Sequence, residues 1–200
     1  MDIRFTQVSK SFREKPLFEN LNISLPEGRL SCLMGPSGIG KTTIINCIMG
    51  LTEPDSGEIT GTEGKRIAAV FQEDRLIEHW DAVKNVKLVC DKAVTEQQIL
   101  AELEEVGLKD ITHKPVRDYS GGMRRRVAIV RAMLAQSDLV LLDEPFQGLD
   151  DARKEQVMDY VKRKARGKTV ILVTHDREEA ERLEADLIFL DSYDRVIGEL

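Results

Sequence analysis

The sequence predicts an α/β fold in which an N-terminal antiparallel β subdomain precedes the core and an α-helical subdomain is inserted into it. Three observations carry this expectation. The apolar run Leu30–Met34 feeds a glycine-rich loop, Gly35-Pro36-Ser37-Gly38-Ile39-Gly40-Lys41-Thr42, and then an apolar helical stretch, Thr43–Met49, that Gly50 stops. Two further apolar runs, Leu139–Leu142 and Thr169–Thr174, flank an amphipathic stretch from Asp151 to Arg166 that ends at Gly167. Between a strand at Ile67–Phe71 and the run at Leu139 the texture changes to charge and helical periodicity, which places the insert at about residues 73–137.

The remaining elements follow in order. Ile3–Val8, and Leu21–Leu25 ahead of Pro26-Glu27-Gly28, read as short strands bounded by turns. Within the insert, Thr95 with Gln98 three residues later makes a capping box for a helix running through Leu100 and Leu103 to about Val106, with Gly107 as its stop. A second helix starts near Ser120 and turns Val127, Ile129, Val130 and Leu134 inward. The tail, Leu187–Leu190 and Arg195–Ile197, reads as a hairpin around Asp191-Ser192-Tyr193-Asp194. No linker, repeat or low-complexity tract divides the chain, so residues 1–200 are expected to form one domain.

Composition narrows the class of function. The 29 Lys and Arg against 35 Asp and Glu leave a net charge of -6, which argues against free nucleic acid or an anionic lipid surface as the main partner. With 42% hydrophobic residues and only 14 Gly and 6 Pro, disorder and fibrous repeats are excluded. The 3 cysteines, Cys32, Cys47 and Cys90, are odd in number and lack metal-ligand spacing, as expected for reduced thiols in the cytosol. No stretch approaches the ~20 apolar residues of a spanning helix, so a membrane connection is expected only through a partner. We expect no targeting leader at Met1 and no regulatory extension past Leu200.

The chemistry-bearing residues cluster in short motifs. Gly35 to Thr42 satisfies G-x-x-x-x-G-K-[ST], in which glycines let successive backbone N–H groups converge on phosphate oxygens at a helix N-terminus. Lys41 is expected to reach the β and γ phosphates, and the Thr42 hydroxyl to serve Mg²⁺. The Leu139–Leu142 run delivers Asp143 and Glu144 to a strand end, where ligands bind in open α/β sheets. Adjacent strand residues face opposite sides, so Asp143 is assigned to the metal shell and Glu144 to taking a proton from an attacking water. Ser120-Gly121-Gly122-Met123 opens a helix with a second anion-binding geometry. Arg124, Arg125 and Arg126 in its first turn oppose the helix dipole, which makes more sense with a polyanion nearby.

These motifs together resemble the ATP-binding subunits of ATP-binding cassette (ABC) transporters. The resemblance covers nearly the whole chain and, among such proteins, is nearest to nitrate, sulfonate and taurine importers. It implies a P-loop NTPase core of the RecA-like kind, MgATP hydrolysis, and a dimer that sandwiches two ATP molecules. In that family's terms Gly35, Pro36, Ser37, Gly38, Ile39, Gly40, Lys41, Thr42 and Thr43 resemble the Walker A loop and helix start, and Leu139 to Glu144 the Walker B strand. Tyr119-Ser120-Gly121-Gly122-Met123 is similar to the signature motif, with Tyr119 and Met123 in place of the usual Leu and Gln. Gln72 matches the Q-loop glutamine, which implies contact with metal and water; Gly148-Leu149-Asp150 matches the D-loop, and His175 the switch histidine. Phe12 resembles the aromatic residue that stacks on adenine. The implied partners are a second ATPase subunit, transmembrane permease subunits and, for an importer, a solute-binding protein. The implied location is the cytoplasmic face of the cell membrane, peripherally bound.

Two other readings stand beside this one: a small-molecule kinase, which leaves Ser120-Gly121-Gly122 unexplained, and a cassette ATPase that serves a division or lipoprotein-release complex. His79 and His113 read as ordinary loop residues. Leu76, Ile77 and Trp80 form either a satellite core or a groove for a helix of a membrane subunit, with Trp80 as anchor.

Overall fold

A computed structural model describes residues 1–13, 15–109 and 114–190. The chain begins with β1 (Ile3–Phe12) and β2 (Lys15–Leu25), an antiparallel pair that β4 (Ser56–Thr60) joins along β1. Alternation turns Ile3 and Phe5 inward from one strand and Leu21, Ile23 and Leu25 from the other, and a register shift between Phe5 and Val8 brings Val8 into the same core. The strand β4 went unread in the sequence, because Ser56-Gly57-Glu58 resembles a turn. Gly57 has φ +83 and a Cβ there would stand 2.3 Å from the Gln7 carbonyl oxygen, so the close crossing of β1 and β4 requires glycine.

The core is a five-stranded parallel sheet in the order β5-β6-β7-β3-β8, with β3 at Leu30–Met34, β5 at Ile67–Val70, β6 at Leu139–Asp143, β7 at Thr169–Val173 and β8 at Asp186–Phe189. Its central strands are covered on both faces, which explains their unbroken apolar runs. Leu139, Leu141, Ile171 and Val173 pack on one face with the antiparallel sheet and α1 (Lys41–Ile48). Val140, Leu142, Val170 and Leu172 pack on the other with α4 (Gly121–Leu134) and α5 (Asp151–Ala165).

Between β5 and β6 the described chain runs through helices alone: α2 (Ala82–Lys87), α3 (Glu96–Glu105), one turn of 3-10 helix at Val116–Asp118, and α4. The Thr95 capping box is formed, with its hydroxyl accepting from Gln98 N and the Gln98 side chain returning to Thr95 N. Short α2 and α6 (Arg177–Arg182) have too few turns to show a period and were not foreseen. The strand β8, expected as the first arm of a hairpin, pairs in parallel with β3 and forms the edge of the main sheet. The expected turn and second arm, residues 191–197, lie outside the described residues. Among those described, no helix is long and apolar enough to cross a membrane.

Candidate nucleotide site

All strands of the main sheet run parallel, so the segments that follow β3, β5, β6 and β7 emerge at one edge. They carry the glycine loop, Gln72, Asp143-Glu144 and His175 respectively. An open cavity of about 270 Å³ at that edge is lined by Ser37, Gly38, Gly40, Lys41, Thr42, Thr43, Gln72, Asp143 and Glu144, with Leu17 and Val173 as apolar wall.

The loop's shape depends on backbone that only glycine adopts freely. Gly38 and Gly40 have φ +84 and +108, and a Cβ on Gly35 would stand 2.6 Å from the Leu190 carbonyl oxygen. Ile39 turns inward to pack with the core and its N–H donates to the Pro36 carbonyl oxygen at 3.3 Å. Lys41 is 9% exposed, and its ammonium folds back on the loop, donating to the carbonyl oxygens of Gly35 at 2.6 Å and Pro36 at 3.0 Å. A nearly buried cation is thus held by acceptors weaker than phosphate oxygens at the mouth of α1.

Thr42 donates through Oγ1 to Asp143 Oδ2 at 3.0 Å. Asp143 is 2% exposed, and its Oδ1 is buried without a hydrogen-bond partner. Burial pushes this carboxyl up from its ordinary range, against the Thr42 hydroxyl, which favours the charged form. An orphaned buried oxygen costs free energy unless a cation or donor meets it.

Glu144 does not alternate with Asp143 as expected. The strand ends at Asp143, and Glu144 takes φ +48, so both carboxylates line the same cavity. Its N–H donates to Val173 O at 2.9 Å, and its Oε1 lies 3.0 Å from His175 Nδ1. That contact with Glu144 raises the imidazole above its ordinary pKa. A left-handed φ on a residue with a Cβ is strained, and such strain gathers where function needs a side chain aimed off the regular path.

The other expected residues stand apart from this cavity. Ser120 caps α4, its Oγ accepting from Met123 N at 3.3 Å, and Asp150 caps α5 by accepting from Arg153 N at 3.0 Å. They share a second corner: a Cβ on Gly122 would sit 3.5 Å from the Gly148 carbonyl oxygen, while Gly121 faces open space. Phe12, at the end of β1, is 51% exposed, with the Lys10 ammonium 5.5 Å from its ring centre.

Arg124, Arg125 and Arg126 of α4 donate to the protein's own carbonyl groups. Arg125, 8% exposed, donates to Phe71 O and Gln72 O and pairs with Asp74 at 3.3 Å. Arg126 donates to Val106 O, Gly107 O and Gly122 O, and Arg124 to Tyr119 O. Reasoning from sequence missed Arg125 as the residue that holds the Gln72 backbone, and Leu17 as cavity wall. Both roles arise from pairings across 50 or so residues or between sheets, which leave no local pattern.

Behind Gln72 lies a groove of about 460 Å³ lined by Glu73, Asp74, Arg75, Leu76, Glu78, Val116 and Arg124. Leu76 lines it, but Ile77 and Trp80 do not; the Trp80 ring is half-buried, edge-on to His79 at 6.3 Å, and belongs to neither packed core. His113 lies outside the described residues.

A family model described as "ABC transporter" matches residues 18–147. The chain is 37% identical over 193 residues to the taurine import ATP-binding protein TauB of Yersinia pestis bv. Antiqua, covering 90% of this chain and 75% of that one. It is 36% identical over 193 residues to the aliphatic sulfonates import ATP-binding protein SsuB 3 of Rhodococcus jostii, covering 95% and 71%. The solved dimeric structure of a post-hydrolysis state of the ATP-binding cassette MJ0796 bound to ADP and Pi is 30% identical, with a TM-score of 0.81 over 99% of this chain and 97% of that one.

Proposed function

Because the chain belongs to the ABC transporter family and is one of its ATP-hydrolysing subunits, we propose that the cavity at the sheet edge is its MgATP site. Further, we propose that hydrolysis there powers solute import through membrane subunits docked on the helical insert. The observation that carries the reading is the convergence of Lys41, Thr42, Gln72, Asp143 and Glu144 on one cavity at the mouth of α1.

Each group has a role its setting fits. The N–H groups of the glycine loop and the Lys41 ammonium bind and orient the phosphates, with Lys41 exchanging the carbonyl oxygens of Gly35 and Pro36 for anionic ones. Glu144 accepts the proton of the attacking water, and His175, beside it, donates a hydrogen bond to the γ phosphate as charge develops. Asp143, Thr42 and Gln72 fit a Mg²⁺ ion, because Asp143 offers a buried oxygen that lacks a partner beside a hydroxyl. When bound, that ion neutralises phosphate charge. Phe12 supplies an exposed ring for adenine.

One chain leaves the site open, while Ser120, Gly121, Gly122 and Asp150 sit at a separate corner of the molecule. Pairing two copies so that this corner closes the partner's cavity completes both sites, which favours the sandwich dimer. The groove behind Gln72 is the surface we assign to the membrane subunits, since Arg125 ties its floor to the residue at the metal. The import direction rests on the names of the taurine and sulfonate relatives, and a solute-binding protein as further partner and a peripheral place at the cytoplasmic face on the family resemblance.

Lys41→Ala tests the site. It removes a charge-assisted contact worth about 1.5–3 kcal/mol, so calorimetric titration is expected to show MgATP affinity lowered roughly tenfold or more. Unchanged affinity overturns the assignment of this cavity.

A further inference from the structure

The proposed role of His175 depends on where its short loop lies, and that loop is held by a group outside the motifs. Lys154, one turn into α5, places its ammonium 2.6 Å from Asp176 Oδ2 and 2.7 Å from Glu179 Oε1. Glu179, 5% exposed, accepts through Oε2 from the Thr174 hydroxyl at 2.6 Å. The same hydroxyl accepts from Asp176 N at 3.1 Å, and Asp176 Oδ1 caps α6 by accepting from Glu178 N at 3.0 Å. The residues on both sides of His175 are therefore pinned, and the pins meet at one ammonium. Partial burial works against that charge, but the two carboxylates outweigh it and raise Lys154 to about 12, while the Asp176 carboxyl is held low. At its other end Lys154 N–H donates to Asp150 O at 2.7 Å.

We propose that Lys154 is a positioning residue for hydrolysis: its ammonium fixes the Thr174–Asp176 loop so that His175 meets Glu144, and its backbone ties that loop to the turn ending at Asp150. The inference rests on the reading of His175 given above. A dimer partner that presses on the turn at Asp150 then moves the anchor of the histidine loop as well.

Steady-state MgATP hydrolysis by the purified chain tests this in a double-mutant cycle of Lys154→Met and His175→Ala. Lys154→Met is expected to lower kcat about tenfold with KM for ATP within about twofold, since phosphate binding is untouched. Lys154→Arg, which keeps the charge, is expected to recover most of it. In the His175→Ala background Lys154→Met is expected to cost nothing further. Asp176→Asn, which can still cap α6, is the second variant, with the same kcat loss expected should Lys154→Met not fold. Wild-type turnover in His175→Ala overturns the reading of that histidine. A slow His175→Ala beside a normal Lys154→Met overturns the Lys154 inference alone. Losses that add, or a Lys154→Arg as slow as Lys154→Met, likewise assign Lys154 no action through His175.

Discussion

At the 3.0 Å contact between Glu144 and His175, one residue's charge sets the other's titration. The carboxylate favours the imidazolium, so the folded pKa of His175 lies above the ordinary ~6.5. A raised folded pKa means that the pair's contribution to stability is fully present below about pH 6.5 and is lost as pH rises through the folded value. The ring is largely exposed, so that contribution is small. Glu144→Gln keeps the shape and removes the charge. Its His175 resonances, followed by NMR against pH, are expected to titrate lower than in the wild type; an unmoved midpoint excludes the contact. The same substitution leaves no proton acceptor, and hydrolysis is expected to fall roughly 10²–10⁴-fold. These residues were legible because Lys41 and Thr42, and Asp143 and Glu144, are neighbours in short motifs whose spacing is itself the chemistry. Glu144's left-handed backbone was not legible, because alternation along a strand says nothing of where the strand stops.

Among the elements, the turn that leads into α2 shows how a buried polar side chain substitutes for regular structure. Asn85, fully buried, accepts from Ile77 N at 2.8 Å and donates to the carbonyl oxygens of Ile77 and Asp81 at 3.1 and 3.0 Å. It gives the Ile77 N–H its partner and adds a second donor to the Ile77 and Asp81 carbonyl oxygens, which also accept from Trp80 N and Asn85 N. Asn85→Ala strands the Ile77 N–H and leaves the Ile77 and Asp81 carbonyl oxygens with only the Trp80 and Asn85 N–H groups as donors, and urea unfolding is expected to show a loss of about 1–3 kcal/mol. Trp80→Ala, in the same measurement, is expected to stay within about 1 kcal/mol of the wild type, because the ring lies outside both cores. Equal losses exclude this account of the turn. The capping box of α3 and the apolar face of α4 were plain in the sequence, since each lies within one helix. The partners of Arg125, Lys154 and Asn85 were not, because each holds a loop whose path is set by the fold.

For the whole molecule, the division of the motifs between two corners decides how the protein can work. The cavity holds Lys41, Asp143 and Glu144, while Ser120 and Asp150 cap α4 and α5 away from it. At the MgATP site proposed above, a single chain therefore binds the phosphates from one side only and leaves the other open to water. Two chains related by a two-fold axis can each present the Ser120 corner to the other's cavity, an isologous arrangement in which both sites close together. In the dimer proposed above, closure requires the γ phosphate, because without it the two faces have no common anion to bind. Hydrolysis removes that anion, so the closed dimer of an active chain is short-lived. Glu144→Gln blocks the removal without altering the cavity's shape or the Lys41 contacts. With MgATP at micromolar protein, this variant is expected to elute from gel filtration as a dimer, and with MgADP as a monomer. A monomer under both conditions excludes a nucleotide-closed dimer of this chain in the absence of membrane subunits. A dimer under both excludes the γ phosphate as the group that closes it.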